Sequence, residues 1–176
     1  MKLYRCRICG ETYLGYEAPS NCPFCGAHVE WMSPPEQYDP AVNDLELTEV
    51  ERRDLETSIE VETSNTRFYL AMAARTDNGT LSSAYKRLAT VEAEHCTLFC
   101  KLAKVSKPAD LMEPGADLGS WMADIDDSLR REMRATELYS QFAARATNAR
   151  LLEVWSAVSS VEADHIELDG VAKTYI

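Results

Sequence analysis

The sequence predicts a mainly α protein: a four-helix bundle preceded by a small N-terminal metal domain built on four cysteines. Three observations predict it. Val91-Glu92-Ala93-Glu94-His95 returns 70 positions later as Val161-Glu162-Ala163-Asp164-His165. Around each copy the apolar residues recur at spacings of three and four, the period of a helix with one buried face. The first 33 residues carry two Cys-x-x-Cys-Gly knuckles, Cys6-Arg7-Ile8-Cys9-Gly10 and Cys22-Pro23-Phe24-Cys25-Gly26.

The repeat reaches well beyond the motif. At the same ungapped offset Thr66 matches Thr136, Tyr69 matches Tyr139, Ala73-Ala74-Arg75 matches Ala143-Ala144-Arg145, and Leu98 matches Leu168. This is a duplicated helical hairpin. Each Glu-x-x-His places a carboxylate and an imidazole on one helix face. Two such pairs, plus one Glu from each of two other helices, form the ligand set of a carboxylate-bridged di-iron or di-manganese bundle. Glu62 and Glu132 supply the remaining carboxylates, each preceding its Glu-x-x-His by the same interval.

Taken in order, residues 1–33 form the knuckle domain. Four thiolates in this arrangement make a tetrahedral sulfur site that suits zinc or iron. His28 is a surface residue, because Cys6, Cys9, Cys22 and Cys25 already fill the tetrahedron. Residues 34–45 contain Pro34, Pro35 and Pro40, which exclude a helix interior and predict a semi-rigid linker. Residues 46–176 are the bundle. Thr48-Glu49-Val50-Glu51 is a capping box that starts the first helix. Its apolar stripe, Leu55, Ile59, Thr66, Tyr69 and Ala73, includes Glu62. The second helix carries Tyr85, Leu88, Glu92, His95 and Phe99 on one face, the third places Glu132 between Ile125 and Tyr139, and the fourth carries Trp155, Val158, Glu162, His165 and Leu168.

Burying unpaired carboxylates costs several kcal/mol each, and these stripes hold no Lys or Arg, so a bound cation has to supply the counter-charge. Short turns near Asn78 and Asn148 make each hairpin antiparallel. The segment from Ser106 to Gly119 reaches about 45 Å when extended, more than the roughly 37 Å of a 25-residue helix. It can cross the whole bundle, as a ferritin-like fold with one long crossover requires.

Composition is that of a soluble globular chain, 45% hydrophobic and 27% charged. The formal net charge of −11 argues against nucleic acid or an anionic membrane as partner. Met1-Lys2-Leu3-Tyr4-Arg5 runs into the cysteine motif with no apolar leader, and no apolar run approaches a membrane span. A cytoplasmic protein is expected, in which six cysteines serve as metal ligands or free thiols.

With these motifs in hand, the chain resembles a rubrerythrin of the reversed form, its rubredoxin-like domain placed first. Tyr4, Tyr13 and Trp31 resemble the aromatic shell of rubredoxin-type iron sites. The resemblance implies that Glu62, Glu92 and His95 bind one iron of a di-iron centre and Glu132, Glu162 and His165 the other, with Glu92 and Glu162 bridging. It implies a single iron, or zinc, on Cys6, Cys9, Cys22 and Cys25. It further implies a peroxidase that reduces hydrogen peroxide or dioxygen in oxidative-stress protection, fed by a reductase or rubredoxin as electron donor. In that family the rubredoxin-like domain serves a partner chain, and the linker prolines favour a domain that points away, so a homodimer with reciprocal delivery is expected.

One position departs from the family. The additional Glu one turn beyond the terminal ligand of the third helix is Ala135 here, and its repeat mate is Asn65. That departure favours the alternative of a ferroxidase or iron-handling protein. A non-catalytic metal-binding protein with zinc in the knuckles is the third reading. Tyr69 and Tyr139 stand two turns beyond Glu62 and Glu132, either as partners of ligand carboxylates or as core residues. Cys96 and Cys100 read as buried inert thiols.

Overall fold

The computed structural model describes residues 1–176. Lys2–Cys6 (β1), Thr12–Gly15 (β2) and Met32–Ser33 (β3) form an antiparallel sheet in the order β2-β1-β3. Tyr4 pairs with Tyr13 across β1 and β2. Each knuckle turns back on a left-handed glycine, Gly10 at φ 87° and Gly26 at φ 76°, a conformation that a side chain would strain. The amides of Gly10 and Gly26 donate to the carbonyls of Cys6 and Cys22, both at 2.9 Å.

Four helices follow: Glu49–Ala73 (α1), Gly79–Ala103 (α2), Trp121–Arg145 (α3) and Ala149–Ala172 (α4). Every N-terminus is capped by a side-chain oxygen, from Thr48, Asn78, Ser120 and Asn148 respectively. The Thr48–Glu51 capping box forms as the sequence predicts. Lys104, at φ 57°, closes α2 in the left-handed region. The hairpins α1–α2 and α3–α4 pack side by side. Arg145 near the end of α3 pairs with Asp54 near the start of α1, so α1 and α3 run antiparallel.

The crossover between α2 and α3 traverses the bundle along α1. The Gly115 amide donates to the Arg67 carbonyl at 2.8 Å, Arg67 pairs with Asp110, and the Leu118 amide caps on Asp124 at 2.6 Å. Leu111 is buried against Cys96 and Cys100. Burial pushes the Cys100 thiol up to about 12 and also raises Cys96, so both thiols stay protonated and unreactive.

The linker does not hold the knuckle domain away, as its prolines suggest it should. It folds into two short 3-10 turns, Pro35–Gln37 and Pro40–Asn43, and returns to the bundle. Arg5 lies over the Tyr38 ring at 4.4 Å, Asn43 bonds Tyr38 at 3.1 Å, and Arg150 of α4 reaches Asn43 at 3.1 Å. Proline restricts the local backbone but not the direction in which a turn sends the chain. The knuckle domain therefore sits on α2 and α4 of its own chain. One continuous apolar core joins Cys6, Ile8 and Ala27 to Leu98, Leu102 and Val154.

Glu51 ties the two hairpins together at one end. One oxygen accepts from the Thr48 amide and hydroxyl at 2.9 and 2.8 Å. The other accepts from the Thr147 and Asn148 amides at 3.0 and 2.9 Å and from the Thr147 hydroxyl at 2.9 Å. Burial acts to raise this carboxyl, but the bonds from Thr48, Asn148 and Thr147 outweigh it and hold it at about 2. Such a group stabilises the fold above its unfolded value near 4.5, and that contribution is lost as pH falls toward 2. Glu51→Ala should lower unfolding free energy by about 2–4 kcal/mol in denaturant titrations at neutral pH, and by much less below about pH 3. A loss of the same size at both pH values would contradict this assignment.

Candidate metal centres

The four knuckle sulfurs converge. Cys6 Sγ lies 3.7 Å from Cys25 Sγ, and Cys9 Sγ lies 3.8 Å from Cys22 Sγ. A tetrahedron with metal–sulfur bonds of about 2.3 Å has edges of about 3.8 Å, so these separations suit one tetrahedral ion. The Glu11 amide points at Cys9 Sγ from 3.5 Å. His28 is not among the ligands; its Nε2 meets Asp164 Oδ2 on α4 at 2.7 Å, which pins the knuckle domain to the bundle. Arg150 donates to the Ile8 carbonyl at 2.7 Å. A Cβ at Gly26 would stand 2.6 Å from Val161 Cγ1, so the second knuckle approaches α4 as closely as a bare backbone allows.

At the centre of the bundle the structure brings together all six residues that the repeat singles out. Glu62, Glu92, His95 and Glu162 form one donor group, and Glu92, Glu132, Glu162 and His165 form a second, each with its donor atoms within 4.8 Å of one another. Glu92 and Glu162 belong to both. Glu62, Glu92, Glu132, Glu162 and His95 are fully buried, and His165 is 7% exposed. No Lys or Arg pairs with them; their charged neighbours are the two imidazoles. Glu62 Oε2, both Glu92 oxygens, Glu132 Oε2, Glu162 Oε1 and His95 Nδ1 lack any hydrogen-bond partner. A cluster of buried, unspent anionic donors is the arrangement a pair of cations resolves. The sulfur site fits a rubredoxin-type iron, and the carboxylate–histidine cluster fits a di-iron centre.

The two histidines are set differently. His95 Nε2 lies 2.8 Å from the Cys25 carbonyl, which can only accept, so Nε2 carries the hydrogen. Nδ1 then turns its lone pair toward Glu162 at 3.2 Å and Glu62 at 3.9 Å, as a metal-ligating imidazole requires. His165 Nδ1 faces Glu162 at 2.9 Å, Glu92 at 3.1 Å and Glu132 at 3.6 Å.

Each ligand-face tyrosine reaches across to the other hairpin. Tyr69 on α1 donates to Glu132 on α3, and Tyr139 on α3 donates to Glu62 on α1. Antiparallel α1 and α3 make this exchange reciprocal. Beyond Tyr69 lies a network that no Glu-x-x-His spacing signals: Ser128 Oγ is 3.1 Å from Tyr69 Oη and 2.9 Å from Asp169 Oδ1, and Tyr85 donates to the same oxygen at 2.7 Å. The repeat breaks here. Phe99 occupies the position of Asp169 and Trp155 that of Tyr85, with Trp155 Nε1 donating to Ser58 at 3.1 Å. Comparing the halves residue by residue shows the signal, a lone buried Asp on the ligand face one turn after His165.

Burial, followed by the negative charge of Glu162 and Glu132, pushes Glu92 up to about 7. Burial and Glu162 push Glu132 up to about 8, and burial with Glu92 and Glu162 raises Glu62 as well. Burial acts against charge on Glu162 as well, but His165 and His95 outweigh it and hold that carboxyl low. Burial opposes charge on the imidazoles too, yet the contacts from Glu162 to His95, and from Glu132, Glu162 and Glu92 to His165, raise both. The raised groups outnumber the lowered one, and their stabilisation is lost as pH rises through about 7 to 8. With the bundle emptied by a chelator, the melting temperature should therefore fall between about pH 6 and about pH 8.5, while the metal-loaded protein changes little. A stripped protein that gains stability across that window would contradict the charge assignment.

Comparison with known proteins agrees with the geometry. Residues 4–32 match the family description "Rubrerythrin, rubredoxin-like domain" and residues 54–116 match "Rubrerythrin". The chain is 34% identical over 112 residues to "Reverse rubrerythrin-1" of Clostridium acetobutylicum, an alignment covering 58% of this chain and 62% of that protein, less than two thirds of the relative's length. No solved structure matches significantly. No helix is long and apolar enough to cross a membrane. With a tetracysteine domain ahead of a four-helix bundle that holds two Glu-x-x-His pairs, the chain belongs to the rubrerythrin family in its reversed domain order.

Proposed function

We propose that the protein is a peroxidase that reduces hydrogen peroxide at the bundle centre with electrons relayed from the knuckle iron. The observation that carries this reading is His95, whose ring spans the two centres. Its Nε2 donates to the Cys25 carbonyl at 2.8 Å, and Cys25 is one of the four sulfur ligands; its Nδ1 faces the carboxylate cluster. A centre that only stored or oxidised iron has no use for an electron supply seated against one of its ligands.

In this reading Glu62, Glu92 and His95 would hold one iron and Glu132, Glu162 and His165 the other, with Glu92 and Glu162, which belong to both donor groups, shared between them. When bound, the pair supplies two electrons to the O–O bond, and with two protons each peroxide becomes two waters. The chain's own residues set the conditions. The Cys25 carbonyl fixes the His95 tautomer and ring plane. Tyr69 and Tyr139 each donate a hydrogen bond to one oxygen of Glu132 and Glu62 respectively and so fix the orientation of those carboxylates. Complete burial keeps bulk water away, which strengthens every charge interaction inside. A reductase or rubredoxin outside the chain re-reduces the sulfur site, in a reducing compartment where none of the six cysteines forms a disulfide. A homodimer is compatible with this scheme but not needed for delivery, because the knuckle domain is docked on its own bundle.

The buried Ala135, in place of the family's additional Glu, favours iron oxidation as the second reading. Stopped-flow mixing separates the two. The reduced protein with stoichiometric peroxide should recover its oxidised sulfur-site absorption in step with oxidation of the pair. Cys22→Ser should keep one round of pair oxidation and lose steady-state turnover. A Cys22→Ser protein that turns over normally, or a wild type that deposits ferric mineral instead, would overturn the peroxidase reading. Mixed dimers of Cys22→Ser and Glu92→Ala chains should stay inactive, since delivery lies within one chain; recovered turnover would return delivery to the partner.

A further inference from the structure

A row of oxidisable rings runs out from the carboxylate cluster. Tyr69, whose hydroxyl donates to Glu132, has its ring 5.8 Å from that of Tyr85. Tyr85 in turn stacks on Trp121 at 6.1 Å, with the planes 30° apart. The row leads to the end of the bundle where Asp77 joins α1 to α2, opposite the end where Leu102 and Val154 carry the knuckle domain. Tyr69 and Tyr85 are fully buried and Trp121 is 6% exposed. Aromatic rings meet at such distances in most cores, so proximity alone decides nothing.

Two further observations do. Each ring of the row gives its hydrogen to a carboxylate: Tyr69 to Glu132, Tyr85 to Asp169 Oδ1 at 2.7 Å, and Trp121 Nε1 to Asp77 Oδ1 at 3.0 Å. A phenol or indole yields an electron most readily when its proton can move to a base as the electron leaves. The outer end also tolerates positive charge. Arg75 lies over the Trp121 ring at 4.9 Å, but Asp77, Asp117 and Asp124 pair with that guanidinium at 2.9, 3.7 and 3.2 Å. Anions outnumber the cation there and offset its effect on the indole.

Around Tyr139 there is no such row. Its ring meets Phe99 at 5.6 Å and Phe142 at 6.2 Å, and phenylalanine resists one-electron oxidation. Trp155, the repeat mate of Tyr85, is fully buried and gives its hydrogen to the neutral Ser58 hydroxyl. Glu51 stands at the repeat position of Trp121.

We propose that Tyr69, Tyr85 and Trp121 form an electron-relief chain, which supplies the electron the irons lack when an oxidant outruns the donor. The inference rests on the peroxidase reading above. Each peroxide takes two electrons. A fully reduced protein cut off from its donor holds three, one per iron, so iron alone meets the first peroxide and the second finds one electron where it needs two. The missing one comes from Trp121 through Tyr85 and Tyr69. With two protons from solvent the O–O bond breaks to two waters, the last ferrous iron becomes ferric, and Trp121 is left as an indole radical cation beside Asp77. As the oxidising equivalent passes, Tyr69 and Tyr85 lend their protons to Glu132 and Asp169 and take them back.

The test uses the full-length, iron-loaded protein, chemically reduced, freed of reductant and mixed with one or two equivalents of hydrogen peroxide. Freeze-quenched samples are read by electron paramagnetic resonance, with Mössbauer spectra reporting the iron oxidation states. Ring-deuterated tryptophan identifies an indole signal by its narrowing. The first equivalent should leave no organic radical and the second an indole radical. Trp121→Phe and Tyr85→Phe, which keep a ring in place, should both lose that signal, and Trp155→Phe should keep it. Iron content and melting temperature, measured on every sample, separate loss of the chain from loss of the fold; if Tyr85→Phe loses iron, Trp121→Phe decides. Fully ferric iron after two equivalents with no organic radical overturns the proposal. So does an indole signal that survives in Trp121→Phe, or one that Trp155→Phe removes. If peroxide leaves the pair ferrous, the peroxidase reading falls by itself, and dioxygen, which takes four electrons against three on iron, puts the same question to the chain. An indole radical then supports the chain, and ferric iron without one overturns it.

Discussion

Four carboxylates buried without a single Lys or Arg partner are the constraint on which the rest of this structure depends. Left as anions in a dry bundle, they would repel one another and forfeit their hydration. Two imidazoles cannot offset them; they leave five carboxylate oxygens and a ring nitrogen unbonded. The bundle is nonetheless closely packed around them, with Tyr69, Tyr85, Tyr139, Phe99 and Trp155 all fully buried. Such a core is a stable design only if cations arrive from outside. The tyrosines crossing from each hairpin to the other, and Glu51 joining the hairpin ends, then serve one purpose: they hold α1 and α3 at the spacing the donors need.

Duplication made the centre, and divergence gave its halves different neighbours. On the Glu62 side stand Phe99, Trp155 and the Cys25 carbonyl on His95. On the Glu132 side stand Asp169, Ser128 and Tyr85, bonded to one another and to Tyr69. The first half faces the sulfur site across a single imidazole. The second is surrounded by groups that hold and share protons. Two equivalent donor sets have thus become a side that faces the sulfur site and a side rich in hydroxyl and carboxyl groups.

Much of this was legible in the sequence, and the reason is locality. The capping box at Thr48, the turns at Asn78 and Asn148, and the Glu-x-x-His faces are all settled within one or two helical turns, where spacing dictates contact. The knuckles are local for the same reason. Where the knuckle domain docks is not local. It depends on Gly26 meeting Val161, Arg150 reaching Ile8, and His28 finding Asp164, contacts between residues more than a hundred positions apart. The linker prolines govern their own backbone and are silent about that surface, so the expectation of a domain pointing away failed. Asp169 escaped notice because nothing in the Glu-x-x-His pattern includes it; only its mismatch with Phe99 distinguishes it.

The central claim is that the buried cluster holds two coupled irons beside a third in sulfur coordination. Mössbauer spectroscopy of the isotopically enriched, oxidised protein tests it most directly. The account predicts two spectral components: an antiferromagnetically coupled ferric pair with about two thirds of the iron, and a tetrahedral sulfur-ligated ferric site with the remaining third. A spectrum that lacks the coupled pair, with the bundle empty or holding isolated single irons, would contradict it.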